Sequence, residues 1–137
     1  MISSADTLSG VPHDRTVSAY VDARKTAVLS LFKAIDNLGW SDVEQYFHEN
    51  VRYERPGYEP IVGREKLMHF YREVRIIKEG RHHINSILVE EELAMCQGLF
   101  VGSSKKCEPL NVRFVDWYRF DGPIIVARCT YFFSPSV

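Results

Sequence analysis

The sequence has no apolar run approaching the ~20 residues of a membrane-spanning helix. Its first twenty residues, MISSADTLSGVPHDRTVSAY, lack the basic start and apolar stretch of a secretory signal. A cytoplasmic protein with no membrane partner is therefore expected. There is no surplus of one charge either: 17 Lys and Arg stand against 18 Asp and Glu, a formal net charge of -1. Such a balance offers no electrostatic footprint for nucleic acid. Cysteine is scarce. Cys96, Cys107 and Cys129 form no CxxC or Cys/His cluster, and their odd number argues against a full disulfide framework. Free thiols are expected, with no metal and no cofactor.

What is present suits one domain. The 137 residues are 45% hydrophobic and 26% charged, ordinary values for a chain that buries a core. Residues 1–13 are mostly small and polar and are expected to form a flexible tail, with a single domain over 14–137. Val17, Tyr20, Val21, Val28, Leu31, Ile35 and Leu38 recur at helical spacing and predict one long amphipathic helix ended by Gly39. Ser41 stands three residues before Glu44, a capping-box spacing, and predicts a second helix running to about Asn50 with Val43, Tyr46 and Phe47 on its apolar face. Val51 to Arg55 alternates and meets Pro56-Gly57, so it reads as a strand closed by a turn, with a second turn over Pro60 to Gly63. Leu67, Phe70, Tyr71, Val74 and Ile77 predict a third helix.

Beyond Gly80 the pattern turns to β. Three or four runs are predicted, roughly 82–89, 93–101, 111–120 and 124–133, with Gly102-Ser103-Ser104 and Asp121-Gly122-Pro123 as hairpin loops. Helices first and a meander afterwards is an α+β order, with three N-terminal helices against one face of a mostly antiparallel sheet.

Several segments resemble the nuclear transport factor two-like superfamily, which includes SnoaL-like polyketide cyclases and ketosteroid isomerases. They are Tyr53-Glu54-Arg55-Pro56-Gly57, then Gly63 and Phe70-Tyr71, then Gly80-Arg81-His82-His83, then VDWYRFDG over 115–122, and finally Tyr131-Phe132-Phe133. The resemblance covers nearly all of the chain after Val17. It implies a curved, cone-shaped sheet wrapped on the helices, a ligand cavity inside, and a homodimer across the outer sheet face. It also places Asp116 where ketosteroid isomerases carry a protonated aspartate that holds an oxyanion, a case in which an apolar site keeps the acid neutral. Arg55 stands where those enzymes have their aspartate base, and Leu31 where they have the oxyanion tyrosine, so steroid isomerisation by that mechanism is not expected. The run PGYEPIVG and the TYFF ending look closer to cyclase and epoxide-opening members, which use paired carboxylates. Here the matching positions hold Arg55 and one of His82 or His83.

Strand alternation then furnishes the pocket. An inward Asp116 carries Val112, Phe114, Tyr118 and Phe120 inward and turns Arg113, Val115, Trp117 and Arg119 outward. An outward Arg128 places Ala127, Cys129 and Tyr131 inside. The first strand adds Tyr53 and Arg55. Asp116, His82 and Arg55 are the catalytic candidates, and Tyr53, His83, Phe114, Tyr118, Cys129 and Tyr131 the pocket candidates; His82 and His83 alternate, so at most one of them faces in. An ion pair between Arg55 and Asp116 is expected to keep the carboxylate charged. Val115, Trp117 and Phe132 are expected to form an outer apolar patch that a homodimer covers.

The function expected is cofactor-independent acid/base chemistry on a small apolar, polyketide- or terpenoid-like metabolite: cyclisation, isomerisation, dehydration or epoxide opening. The alternatives are a non-catalytic small-molecule binding protein and a dimerisation module whose cavity is filled by side chains.

Overall fold

The computed structural model describes residues 13–134. The tail expected over 1–13 lies outside the described residues except for His13, which opens the first helix. Three helices and a six-stranded sheet follow: α1 (His13–Asp36), α2 (Trp40–Glu44), β1 (Phe47–Glu54), β2 (Ile61–Val62), α3 (Arg64–His69) running into a π-helical turn (Phe70–Val74), β3 (Ile77–Glu90), β4 (Leu93–Ser104), β5 (Pro109–Asp121) and β6 (Ile124–Phe132). The strand order is β2-β1-β6-β5-β4-β3. All neighbours run antiparallel except β1 and β6, which are parallel. The α+β class and the curved, mostly antiparallel sheet hold.

In α1, Val28, Leu31, Phe32 and Ile35 form a buried stripe at i, i+3, i+4 and i+7, the spacing that sets side chains on one helix face. Leu31 belongs to this core. Val17 and Tyr20, expected on the same face, are more than half exposed. The helix ends one residue earlier than glycine punctuation implies: Leu38 takes the left-handed conformation at φ 58. The Gly39 N–H then donates to Ala34 O at 2.9 Å and the Leu38 N–H to Ile35 O at 3.0 Å, the paired bonds that close a helix C-terminus.

Four local expectations fail. Ser41 is not a cap, because α2 begins at Trp40 with Gly39 as N-cap and no side-chain cap bond. The second helix stops at Glu44 instead of near Asn50, and Phe47 opens β1, buried in the core. Residues 61–62, expected within a turn, pair with β1 as Arg52↔Val62 and Tyr53↔Ile61. At the other end of the sheet, Gly102 to Ser104 belongs to β4, and the reversal falls after it.

The third helix changes pitch halfway. The Arg75 N–H donates to Phe70 O at 2.9 Å, five residues back, and the wider turn leaves Phe70, Tyr71 and Arg75 all buried. Such π turns recur at functional sites. Glycine matters most where β3 and β4 cross closely: Gly80 pairs with Gly102, and a Cβ on Gly102 would lie 2.1 Å from Glu79 O. That contact is sterically excluded, so the two strands come this close only because side chains are missing.

Candidate active site

The inner face of β5 obeys the predicted alternation. Val112, Phe114, Asp116, Tyr118 and Phe120 are buried, while Arg113 and Arg119 are exposed. On β6 the alternation is the reverse of that expected. Arg128 is 5% exposed and faces in, with Thr130 and Phe132, whereas Tyr131 is 54% exposed. The register explains it: Tyr118 pairs with Arg128 and Asp116 with Thr130, whereas Cys129 lies opposite Trp117 and Tyr131 opposite Val115 on the outer face. Cys129 and Tyr131 are therefore not pocket residues. Phe132 in turn leaves the outer patch and lines the cavity. Charge alone suggested that Arg128 points to water; a carboxylate within reach makes burial tolerable instead.

That carboxylate is Asp116. Its Oδ2 accepts from Arg128 Nη2 at 2.8 Å, Arg128 Nε at 3.2 Å and the Tyr118 hydroxyl at 2.8 Å. Its Oδ1 accepts from the Thr130 hydroxyl. Four donors converge and none is accepted back, the pattern of an ionised carboxylate. The expected pair of Arg55 with Asp116 is thus replaced by Arg128 with Asp116. Arg55 reaches the same carboxylate only through a relay: its Nη1 donates to the Tyr53 hydroxyl at 3.1 Å, and Tyr53 bonds Thr130 Oγ1 at 2.8 Å. Since Thr130 donates onward to Asp116, Tyr53 must donate to Thr130.

Arg128 Nη1 donates to the Tyr71 hydroxyl at 2.6 Å. Burial works against the Arg128 charge, but Asp116 and the surrounding phenols hold its pKa well above the ordinary arginine value. Burial also pushes the Tyr118 hydroxyl well up and the Tyr71 hydroxyl up, both opposed by Arg128. Both phenols are therefore neutral; Tyr118 donates to Asp116, and Tyr71 accepts from Arg128.

Of the two histidines, His82 is the inward one and His83 is exposed. His83 is thus no pocket residue, as alternation on β3 demands once His82 is turned in. His82 is held on two sides by Asp36, the last residue of α1: its backbone N–H donates to Oδ2 at 2.9 Å and its Nδ1 lies 2.5 Å from Oδ1. Phe32, Phe100 and Phe114 surround the ring with centroids at 4.6, 4.7 and 5.4 Å. Burial holds the imidazole below its ordinary pKa, and the Asp36 hydrogen bond and charge pull the other way. With Nδ1 committed to Asp36, Nε2 is the nitrogen left for chemistry, an arrangement that fixes the tautomer of a general base.

His82, Asp116, Arg128, Thr130, Tyr53, Tyr71, Arg55 and Arg75 all line one cavity with Ile35, Ile77, Phe100, Phe114 and Phe132. Tyr118 braces Asp116 from behind. The free volume is about 20 Å³, room for roughly one or two water molecules. Thr130 and Arg75 in the cavity, and Asp36 behind His82, are not distinguished by the sequence, while Arg128 reads there as outward and Tyr71 only as part of the third helix. Asp36 did carry a faint signal, because a carboxylate at a helix C-terminus opposes the helix dipole. No group of three or more His, Cys, Asp or Glu able to hold a metal occurs among the described residues. Cys96 and Cys129 are buried free thiols, and burial pushes the Cys96 thiol up to about 12.

Three helices set against one curved, mostly antiparallel six-stranded sheet define the class of fold. The chain belongs to the SnoaL-like domain family, whose model matches residues 28–128. Similar solved structures include an NTF2-like protein of unknown function from Burkholderia pseudomallei, at 18% identity and TM-score 0.74 over 80% of this chain and 90% of that one. A putative SnoaL-like polyketide cyclase from Jannaschia is 14% identical at TM-score 0.74, covering 92% and 91%. An LEH-like epoxide hydrolase from M. tuberculosis is 15% identical at TM-score 0.73, covering 82% and 84%. At these identities the likeness concerns the fold. No curated protein sequence matches the chain.

Proposed function

We propose that the chain is a cofactor-independent acid/base enzyme of the cyclase, isomerase, dehydratase or epoxide-opening kind. The observation that carries this reading is His82, held by Asp36 through Nδ1 and lining the cavity that also holds Asp116 and Arg128. His82 Nε2 takes a proton from the substrate. Asp36 orients the ring and steadies the imidazolium that forms. Arg128 and Tyr71 donate to the oxygen on which negative charge develops. Asp116 has both oxygens occupied by donors, so its part is to position Arg128 and Thr130 rather than to carry the proton itself. An apolar substrate body would lie against Ile35, Phe100 and Phe114.

Proton abstraction is tested by incubating the protein in D₂O with acetophenone and 1-tetralone and following deuterium incorporation by NMR, with styrene oxide as the epoxide probe. Turnover of at least one probe is expected, falling by ~10²-fold or more in His82→Gln. Binding without turnover across the panel favours the second reading, a small-molecule binding protein. The free volume of about 20 Å³ supports a third, a module whose cavity is filled by its own side chains; it is favoured if no probe binds.

The same proposal includes a homodimer across the outer sheet face. Leu88, Met95, Trp117 and Cys129 stand in register across β3, β4, β5 and β6. Leu88 and Met95 are 73% and 48% exposed, which makes an apolar row that a second copy would bury.

A further inference from the structure

The cavity wall is not balanced in charge. Three guanidiniums line it, those of Arg55, Arg75 and Arg128, against one carboxylate, Asp116. Asp116 is committed to Arg128 through two hydrogen bonds, and Asp36 is committed to His82. Arg55 and Arg75 are left without an ionic partner among the described residues.

Arg75 is the more telling of the two. It is 4% exposed, and its side chain makes no hydrogen bond or ion pair to any described residue. Its Nε is completely buried and unsatisfied. What holds it is aromatic: the guanidinium lies 5.7 Å from the Tyr71 ring centre and 6.0 Å from that of Trp40. Burial, helped by Arg55 and Arg128, pulls its pKa down to about 10, against the pull of Tyr71, so it remains charged at neutral pH. Arg55 repeats the pattern nearer the surface. Its Nε is also buried and unsatisfied, and the guanidinium is ringed by Phe132, Phe70, Tyr58 and Tyr53 at 5.0, 5.2, 5.9 and 6.0 Å. A buried cation with open donors is costly, and its cost is relieved by an anion that arrives with the ligand.

We propose that the cavity takes a small molecule bearing a carboxylate, which Arg75 and Arg55 hold through their unsatisfied donors. This rests on the proposed function above and narrows its substrate from an apolar metabolite to an apolar body with one anionic group. A planar monoanion suits the site. The guanidinium fork matches two carboxylate oxygens. Arg55 follows β1 and precedes the Pro56-Gly57 turn, and it is half-buried. It is therefore the side chain that swings to admit a body larger than the free volume allows.

The test compares benzoate with its neutral isostere benzamide, and with inorganic phosphate, by calorimetric titration and by thermal unfolding of the intact chain. Benzoate is expected to bind and raise Tm, with benzamide and phosphate at least tenfold weaker. Arg75→Met is expected to lose benzoate affinity tenfold or more, yet to be no less stable than the parent without ligand, because an unpaired buried charge is gone. Should that variant fail to fold, the Nε–H resonance of Arg75 in the parent chain reports instead, and it must shift on adding benzoate. Equal affinity for benzamide, preference for phosphate, no binding of benzoate, an unmoved Arg75 resonance or full affinity in Arg75→Met each overturns the proposal. The two readings fail separately. Benzoate binding that survives in His82→Gln with no turnover anywhere leaves the carboxylate site standing and sinks the enzyme, whereas turnover of the neutral ketones without benzoate binding does the opposite.

Discussion

Asp116 is fully buried and Arg128 nearly so, at 0% and 5% side-chain exposure with 2.8 Å between them. Removing one member of such a pair strands the other charge, which costs more than the pair contributes. Asp116→Asn is accordingly expected to lower stability by roughly 3–5 kcal/mol, read as a shift in the urea midpoint with the slope unchanged. A loss under ~1 kcal/mol would show that Arg128 finds water in solution. His82 makes a prediction in pH. Burial keeps its folded pKa below the ordinary value near 6.5, so below 6.5 the unfolded chain takes up a proton that the folded chain refuses. The stability this contributes is complete above pH 6.5 and is lost as pH falls toward the folded pKa. His82→Gln should therefore lose less stability between pH 7 and pH 5 than the parent, measured by urea unfolding at both values. Equal losses would mean that the imidazole protonates in place.

At the level of elements, the site depends on three departures from regularity. The π turn at Phe70–Val74 brings Tyr71 and Arg75 to the cavity. A register shift between Arg119 and Phe120 precedes the inward row of β6 when followed from the hairpin. The glycines of β3 and β4 let those strands approach where the sheet bends over His82. Gly102→Ala tests the last of these, because its Cβ would meet backbone, not a flexible side chain. A cost of about 1–3 kcal/mol is expected, seen as a lower Tm; an unchanged Tm would show that the strands can part freely there. The edge strand β3 gains a further tie from α1, since the His82 N–H bonds Asp36, which covers part of an otherwise open sheet edge.

For the whole molecule, the two faces of the sheet do different work: the inner face closes on helices around the cavity, and the outer face carries the apolar row of Leu88, Met95 and Trp117. Light scattering coupled to size exclusion is expected to give twice the chain mass. Met95→Glu, which sets a charge in that row, should return a monomer with an unchanged cavity. A parent chain that runs as a monomer at high concentration would retire the dimer. No helix among the described residues is long and apolar enough to cross a membrane. The sequence by itself determined the order of elements apart from β2, the fold family, the buried stripe of α1 from Val28 to Ile35 and the faces of β5, because helical and strand periodicity are local and each element showed several residues of one kind on one side. It also carried the inward Asp116, Tyr53 and Phe114. Only the tertiary structure decided Asp116's partner, which histidine turns inward and which way β6 presents its side chains. Those depend on register between strands and on contacts spanning 12 residues for Arg128 with Asp116 and 46 for His82 with Asp36. A buried charge looks like a surface charge until its partner is in place, and that is why Arg128, Arg75 and Asp36 came to light only in the folded chain.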